Sequence, residues 1–97
     1  DLILPKENIN NYHSYYIYVV RHKKREKLME YLRKNNIFCN ISYPFPIHSM
    51  RGYKKMFKNI KDLKVTEKMS KEIFSLPMYP ELKMSEIERV IKVLNKF

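Results

Sequence analysis

The stretch YHSYYIYVV, from Tyr12 to Val20, decides the fold. β-Branched and aromatic residues dominate it, and such residues favour a pleated, half-buried surface. In an extended chain Tyr16, Tyr18 and Val20 face one way and Tyr15, Ile17 and Val19 the other. Both sets are apolar or amphipathic, which predicts a strand placed centrally in a sheet with both faces at least partly covered. Ahead of it, residues 1–11 carry polar residues and Pro5 and read as a lead-in segment.

Behind the strand the spacing becomes helical between Lys24 and Asn35. Leu28, Met29 and Leu32 share one face, and Lys27, Glu30, Arg33 and Lys34 lie largely on the other. Asn35 and Asn36 supply the stop, because asparagine tolerates the left-handed conformation of a helix C-cap better than any residue except glycine. A short strand is predicted from Ile37 to Ser42, with Ile37, Cys39 and Ile41 on one face.

In YPFPIH, Tyr43 to His48, two prolines remove backbone donors and push Ser42, Tyr43 and Phe45 toward extended geometry. The segment reads as a stiff loop leaving the end of a strand. Short helical pieces follow around His48 to Phe57 and around Thr66 to Phe74, the second stopped by Pro77. SLPMYPEL reads as an extended or turn segment. Ser85 with Glu88 reads as a capping box opening a last helix, whose core stripe is Ile87, Val90, Ile91, Leu94 and Phe97.

The predicted architecture is therefore an α/β (α+β) layer domain, a small sheet of about three strands with helices packed on it. A helix between two strands permits a parallel crossover, while a longer path permits antiparallel neighbours. At 97 residues the chain suits one domain, able to bury roughly 60–70% of its unfolded surface. It opens on Asp1 with no signal-peptide pattern, and no apolar run approaches the ~20 residues of a membrane span. The expectation is an internal piece of a soluble, cytoplasmic protein.

Charge and chemistry are less decisive. A net charge of +10 attracts anions of any kind, but the basic residues are mostly Lys and spread along the chain, which argues against nucleic acid as a partner. Gly52 is the only glycine, which excludes glycine-rich phosphate loops. His13, His22, His48 and Cys39 show no close metal-ligand spacing, so no metal site is expected. Cys39, the single cysteine, reads as a buried apolar residue rather than a nucleophile. No lysine stands out as desolvated enough to form a Schiff base.

One constellation remains: Ser42, Tyr43, His48 and Tyr53, around the proline-stiffened loop. Two readings stay open. Stiffening lowers loop entropy and lets hydrogen-bonding side chains be presented rigidly. Alternatively Tyr43, Phe45 and Ile47 pack the loop onto the sheet and His48 caps the following helix.

At this loop the chain resembles the C-terminal part of the DegT/StrS-type sugar aminotransferases, a fold type I pyridoxal-phosphate (PLP) family. HSYYIYVVR (13–21) is similar to the family's opening small-domain strand, and REKLMEYLRKNNI (25–37) to its helix and next strand. ISYPFPIHSMRGY (41–53) is similar to its His-Tyr-Pro loop, and VTEKMSKEIFSLPMYPELKMSEIERVI (65–91) to its closing segment.

The resemblance implies that residues 1–97 are one domain, the C-terminal small domain of a two-domain homodimeric enzyme. The absent large domain would hold PLP on a lysine, so the fragment would bind no cofactor and be inactive alone. The implied activity moves an amino group, from glutamate by family default, to a keto group of a nucleotide-linked sugar in polysaccharide or amino-sugar biosynthesis. The alternatives are a PLP-dependent sugar dehydratase of the same family, or a basic binding module for nucleic acid or a protein. Carried over by motif, Tyr43 and His48 are substrate contacts, with Ser42 and Tyr53 beside them. Ser42 and Tyr16 stand where the family usually has histidines. Arg51 and Lys54 are candidates for a sugar nucleotide's diphosphate, or simply part of a solvated basic surface.

Overall fold

The computed structural model describes residues 1–57, 60 and 63–97. Strand β1 (Tyr18–Arg21) leads to helix α1 (Arg25–Lys34). A single 3-10 turn follows (Ile47–Ser49), then helix α2 (Lys64–Glu72), strand β2 (Ile73–Leu76) and helix α3 (Met84–Leu94).

β1 and β2 pair antiparallel, with Tyr18 opposite Leu76 and Val20 opposite Phe74. Two single bridges widen this ribbon, Ile3 to Arg21 on the outer side of β1 and Asn40 to Ser75 on the outer side of β2. Each bridge is closed by two backbone hydrogen bonds of 2.8–3.1 Å. β1 is thus an inner strand, as its two-sided apolar pattern predicts. Because β2 opposes both neighbours, β1 and the Asn40 segment run parallel to each other with β2 between them. The crossover through α1 therefore exists, but its two strands are not adjacent.

The ladder is shorter than the sequence suggests. Pairing stops at Tyr18 because β2 offers only four residues: α2 runs straight into it, and Pro77, which has no N–H, ends it. Upstream, Tyr15 turns to φ 47° and donates its N–H to His13 Nδ1 at 2.8 Å. The His13, Tyr15 and Tyr18 rings lie against one another, with centroids 4.2 and 5.8 Å apart, while Tyr12 and Tyr16 are exposed. Tyr12 to Ile17 thus lie outside the strand. The strand predicted over Ile37–Ser42 likewise pairs only at Asn40, although its facing is right: Ile37 is buried and Cys39 and Ile41 are half-buried.

Helix α1 matches its predicted span to one residue at each end. Its stop is Asn36, at φ 57°, whose N–H bonds the Arg33 carbonyl while the Ile37 N–H bonds Leu32. Those two bonds use carbonyls that a helix end otherwise leaves unpaired.

Helix α2 begins two residues earlier than predicted and ends two earlier. Ile73 and Phe74 are extended rather than helical, and Phe74 fills the core opposite Val20. The Arg25 guanidinium donates to the carbonyls of Ser70 and Ile73, closing the C-terminal end of α2 from α1. The predicted helix around His48–Phe57 is the short 3-10 turn followed by hydrogen-bonded turns.

The expected capping box slips by two residues. Lys83 is the N-cap of α3, and its N–H donates to the Glu86 carboxylate at 2.8 Å. Of the predicted stripe, Ile87, Val90 and Leu94 are half-buried, joined by Val93, whereas Ile91 is 52% exposed. Phe97, about half exposed, still sets its ring against His22 and Tyr31.

Val20, Leu28, Leu32, Ile37 and Phe74 form the buried core, between α1 and one face of the sheet. α3 closes it with Val90, Val93 and Leu94.

Candidate functional site

The loop carrying the expected site leaves the sheet at Asn40 and runs antiparallel to β2, toward the Ile73 end. Pro46, at φ −62° and ψ 143°, holds the chain extended into the 3-10 turn. Ser49 secures that turn, its hydroxyl donating to the Pro46 carbonyl at 2.8 Å and its N–H to the same oxygen at 3.0 Å.

Of the two readings of this loop, packing onto the sheet fails. Tyr43 is 77% exposed, Phe45 64% and Ile47 62%, and Ser42 is exposed as well. The loop therefore presents side chains to its surroundings. A side chain that does reach another element is His48, whose ring is half-buried and lies with Nε2 3.0 Å from Oε1 of Glu67 on α2. His48 does not cap a helix; it lies inside the 3-10 turn. With Nε2 committed to Glu67, Nδ1 is the nitrogen left for a ligand.

Tyr53 follows two turns on, about half exposed, and its N–H donates to the Met50 carbonyl at 3.0 Å. No side-chain hydrogen bond joins Ser42, Tyr43 and Tyr53 to one another among the described residues. The four expected residues thus share one loop region without forming a closed constellation. Tyr16 does not belong to it: Tyr18 pairs with Leu76, so Tyr16 lies beyond the opposite end of the sheet from Ser42.

Glu67 escapes the sequence reading because it lies 19 residues from His48 and sits in a lysine-rich helix, where a solvated ion pair is the ordinary expectation. Lys64, Lys68 and Lys71 are exposed on α2, and Glu67, three residues after Lys64 and four before Lys71, lies along the edge of that lysine face with its side chain 41% exposed. Together with exposed Arg51, Lys54 and Lys55 they make the surroundings of the loop more basic than an even spread along the chain implies.

Elsewhere the chemistry is quiet. Burial pushes the Cys39 thiol up to about 11, which keeps it neutral and a poor nucleophile near pH 7. Every described lysine has an exposed side chain, which is not the desolvated setting that lowers an amine's basicity for Schiff-base chemistry.

Comparison with known proteins bears on the family and the fold. The pattern of the DegT/DnrJ/EryC1/StrS aminotransferase family matches residues 2–95. A dTDP-3-amino-3,4,6-trideoxy-alpha-D-glucose transaminase from Micromonospora megalomicea subsp. nigra is 43% identical over 96 residues, covering 98% of this chain and 26% of that protein. A dTDP-3-amino-3,6-dideoxy-alpha-D-galactopyranose transaminase from Aneurinibacillus thermoaerophilus is 32% identical over 94 residues, 97% of this chain and 25% of that protein.

The crystal structure of a DegT DnrJ EryC1 StrS aminotransferase from Brucella abortus superposes with a TM-score of 0.86 at 26% identity, over 99% of this chain and 26% of that one. The chain spans about a quarter of the length of these relatives. A match along nearly its whole length, in sequence and in fold, makes this chain a member of the DegT/DnrJ/EryC1/StrS aminotransferase family.

Proposed function

We propose that these 97 residues are the C-terminal small domain of a PLP-dependent aminotransferase. The whole enzyme would transfer an amino group, from glutamate, to a keto carbon of a nucleotide-linked sugar. The observation that carries this is the 43% identity to a sugar-nucleotide transaminase over 98% of the chain, confined to 26% of that relative. A homodimer working in the cytoplasm belongs to the same proposal. Among the described residues no helix is long and apolar enough to cross a membrane.

The chain's own residues do not fit the cofactor's attachment site, since no described lysine is desolvated. PLP, which supplies the electron sink for amino transfer, belongs in this proposal to the rest of the enzyme. What the present residues contribute is binding and orientation. Tyr43 and Ser42 face outward from a loop whose prolines limit its motion, and each has a hydroxyl that donates or accepts a hydrogen bond. His48 offers Nδ1. Arg51 and Lys54 stand near enough in the chain to attract a diphosphate, and no side-chain hydrogen bond or ion pair holds either of them among the described residues.

The test uses the whole polypeptide that contains these residues. After incubation with PLP and reduction with borohydride, the pyridoxyl group is expected on one lysine outside residues 1–97. Glutamate-dependent amination of a keto sugar nucleotide is expected from the unreduced protein. A pyridoxyl label within residues 1–97 would overturn the domain assignment. Bound PLP without any labelled lysine would point to the dehydratase chemistry instead.

A further inference from the structure

We propose that Glu67 is the positioning residue of the Ser42–His48 loop, holding it at a fixed place relative to the inner strand β2. This rests on the reading of the loop as a substrate loop.

Pro44 and Pro46 stiffen the loop along its own length, but stiffness does not say where a loop sits. Attachment has to come from contacts, and Tyr43, Phe45 and Ile47 make few, being 77%, 64% and 62% exposed. The loop's half-buried ring is His48, only 16% exposed, and its partner across 19 residues of sequence is Glu67 at 3.0 Å. A ring N–H donating to a carboxylate is a charge-assisted hydrogen bond with a defined direction, so it fixes the ring's orientation as well as its distance.

What Glu67 is attached to matters as much. It lies in the first turn of α2, and α2 runs without a connecting loop into β2, the strand paired on both sides. The C-terminal end of α2 is held by Arg25 through the carbonyls of Ser70 and Ile73. The loop is thus referenced, through His48 and Glu67, to a helix fixed at its far end by α1 and the sheet. Of the two carboxylates on this helix, Glu72 is engaged by Arg21 at 3.3 Å near the sheet, which leaves Glu67, at the other end of α2, as the one that meets the loop. Removing it frees the loop's tip, and with it Tyr43, while leaving the chemistry of any remote cofactor untouched.

The experiment compares the whole polypeptide with its Glu67→Ala and Glu67→Gln variants by amide hydrogen exchange and by steady-state kinetics. Glu67→Ala is expected to speed exchange of the Ser49, Met50 and Tyr53 amides about tenfold while Leu28 and Leu32 stay protected. It should raise KM for the sugar nucleotide about tenfold with kcat within about twofold, the signature of lost substrate positioning. The glutamine carbonyl still accepts the His48 N–H, so Glu67→Gln is expected to recover most of both effects.

Unchanged exchange at Ser49–Tyr53 in Glu67→Ala, or glutamine as damaging as alanine, overturns the assignment. Should Leu28 and Leu32 also lose protection, the alanine variant has unfolded and the unaltered protein decides. Slow exchange of the His48 Nε2 proton relative to exposed His13 supports the anchor, and equal rates refute it. If no sugar nucleotide is turned over, the functional reading falls while the exchange result still judges Glu67.

Discussion

Replacing Arg25 with methionine keeps the length and apolar stem of the side chain and deletes its guanidinium. In the native structure that group is 10% exposed and donates to two carbonyls, Ser70 and Ile73, where α2 ends and β2 begins. Hydrogen bonds involving a charged group contribute about 1.5–3 kcal/mol each, and a cation at a helix C-terminus adds up to ~2 kcal/mol in a partly buried setting. These gains overlap, because the same charge produces both, so the loss is set at about 3 kcal/mol. Arg25 also pairs with Glu26, but that carboxylate is 76% exposed, and an exposed pair contributes about 0–1 kcal/mol.

Urea denaturation followed by circular dichroism should therefore show Arg25→Met losing about 3 kcal/mol. In a domain of this size that corresponds to a drop in Tm of roughly 12–24 °C. Glu26→Ala should lose less than about 1 kcal/mol. Arg25→Lys should fall between, since an ammonium keeps the charge but lacks the planar fork that spans two acceptors. If Arg25→Met costs no more than Glu26→Ala, the guanidinium is not what ties α1 to the α2–β2 junction.

Two further outcomes are expected. Asn36→Ala, which forces a Cβ-bearing residue without a local hydrogen-bonding group into φ 57°, should cost about 1 kcal/mol by urea titration, while Asn36→Gly should be neutral or slightly stabilising. Cys39 should react with iodoacetamide far more slowly than an unfolded control at pH 8, its rate climbing only as pH nears about 11. Because burial raises this acid, its contribution to stability is present below the unfolded thiol's value of 9.0 and is lost as pH rises through about 11. Rapid alkylation at pH 8 in the folded protein would contradict the burial of that thiol.

The sequence made the central elements readable for a definite reason. β1 and α1 have apolar periodicities set by the core they share, and the Asn36 stop depends on a backbone conformation few residues tolerate. What escaped depended on distant partners. Nothing near Ile73 and Phe74 says that they leave the helix, because that depends on Arg21 and Val20, their partners 52 and 54 residues upstream. Tyr12–Ile17 has strand composition but no strand partner among the described residues, so composition alone overextended β1. At the site, the loop and its prolines were legible, whereas Glu67 looked like one more surface charge. The choice between packing and presentation at Tyr43 turned on exposure, which no local pattern encodes.

The placement of β2 has a consequence for how the chain comes into being. β2 is flanked by Val20 on one side and Asn40 on the other, both of which precede it in sequence by more than thirty residues. A chain emerging from the ribosome can form α1 early, but β1 and the Asn40 segment then face an open slot whose two edges have no hydrogen-bond partners. Loops of that length close slowly compared with local helix formation. The sheet is consequently completed from its middle, and a nascent chain halted before Ile73 would expose two strand edges ready to recruit any extended peptide within reach.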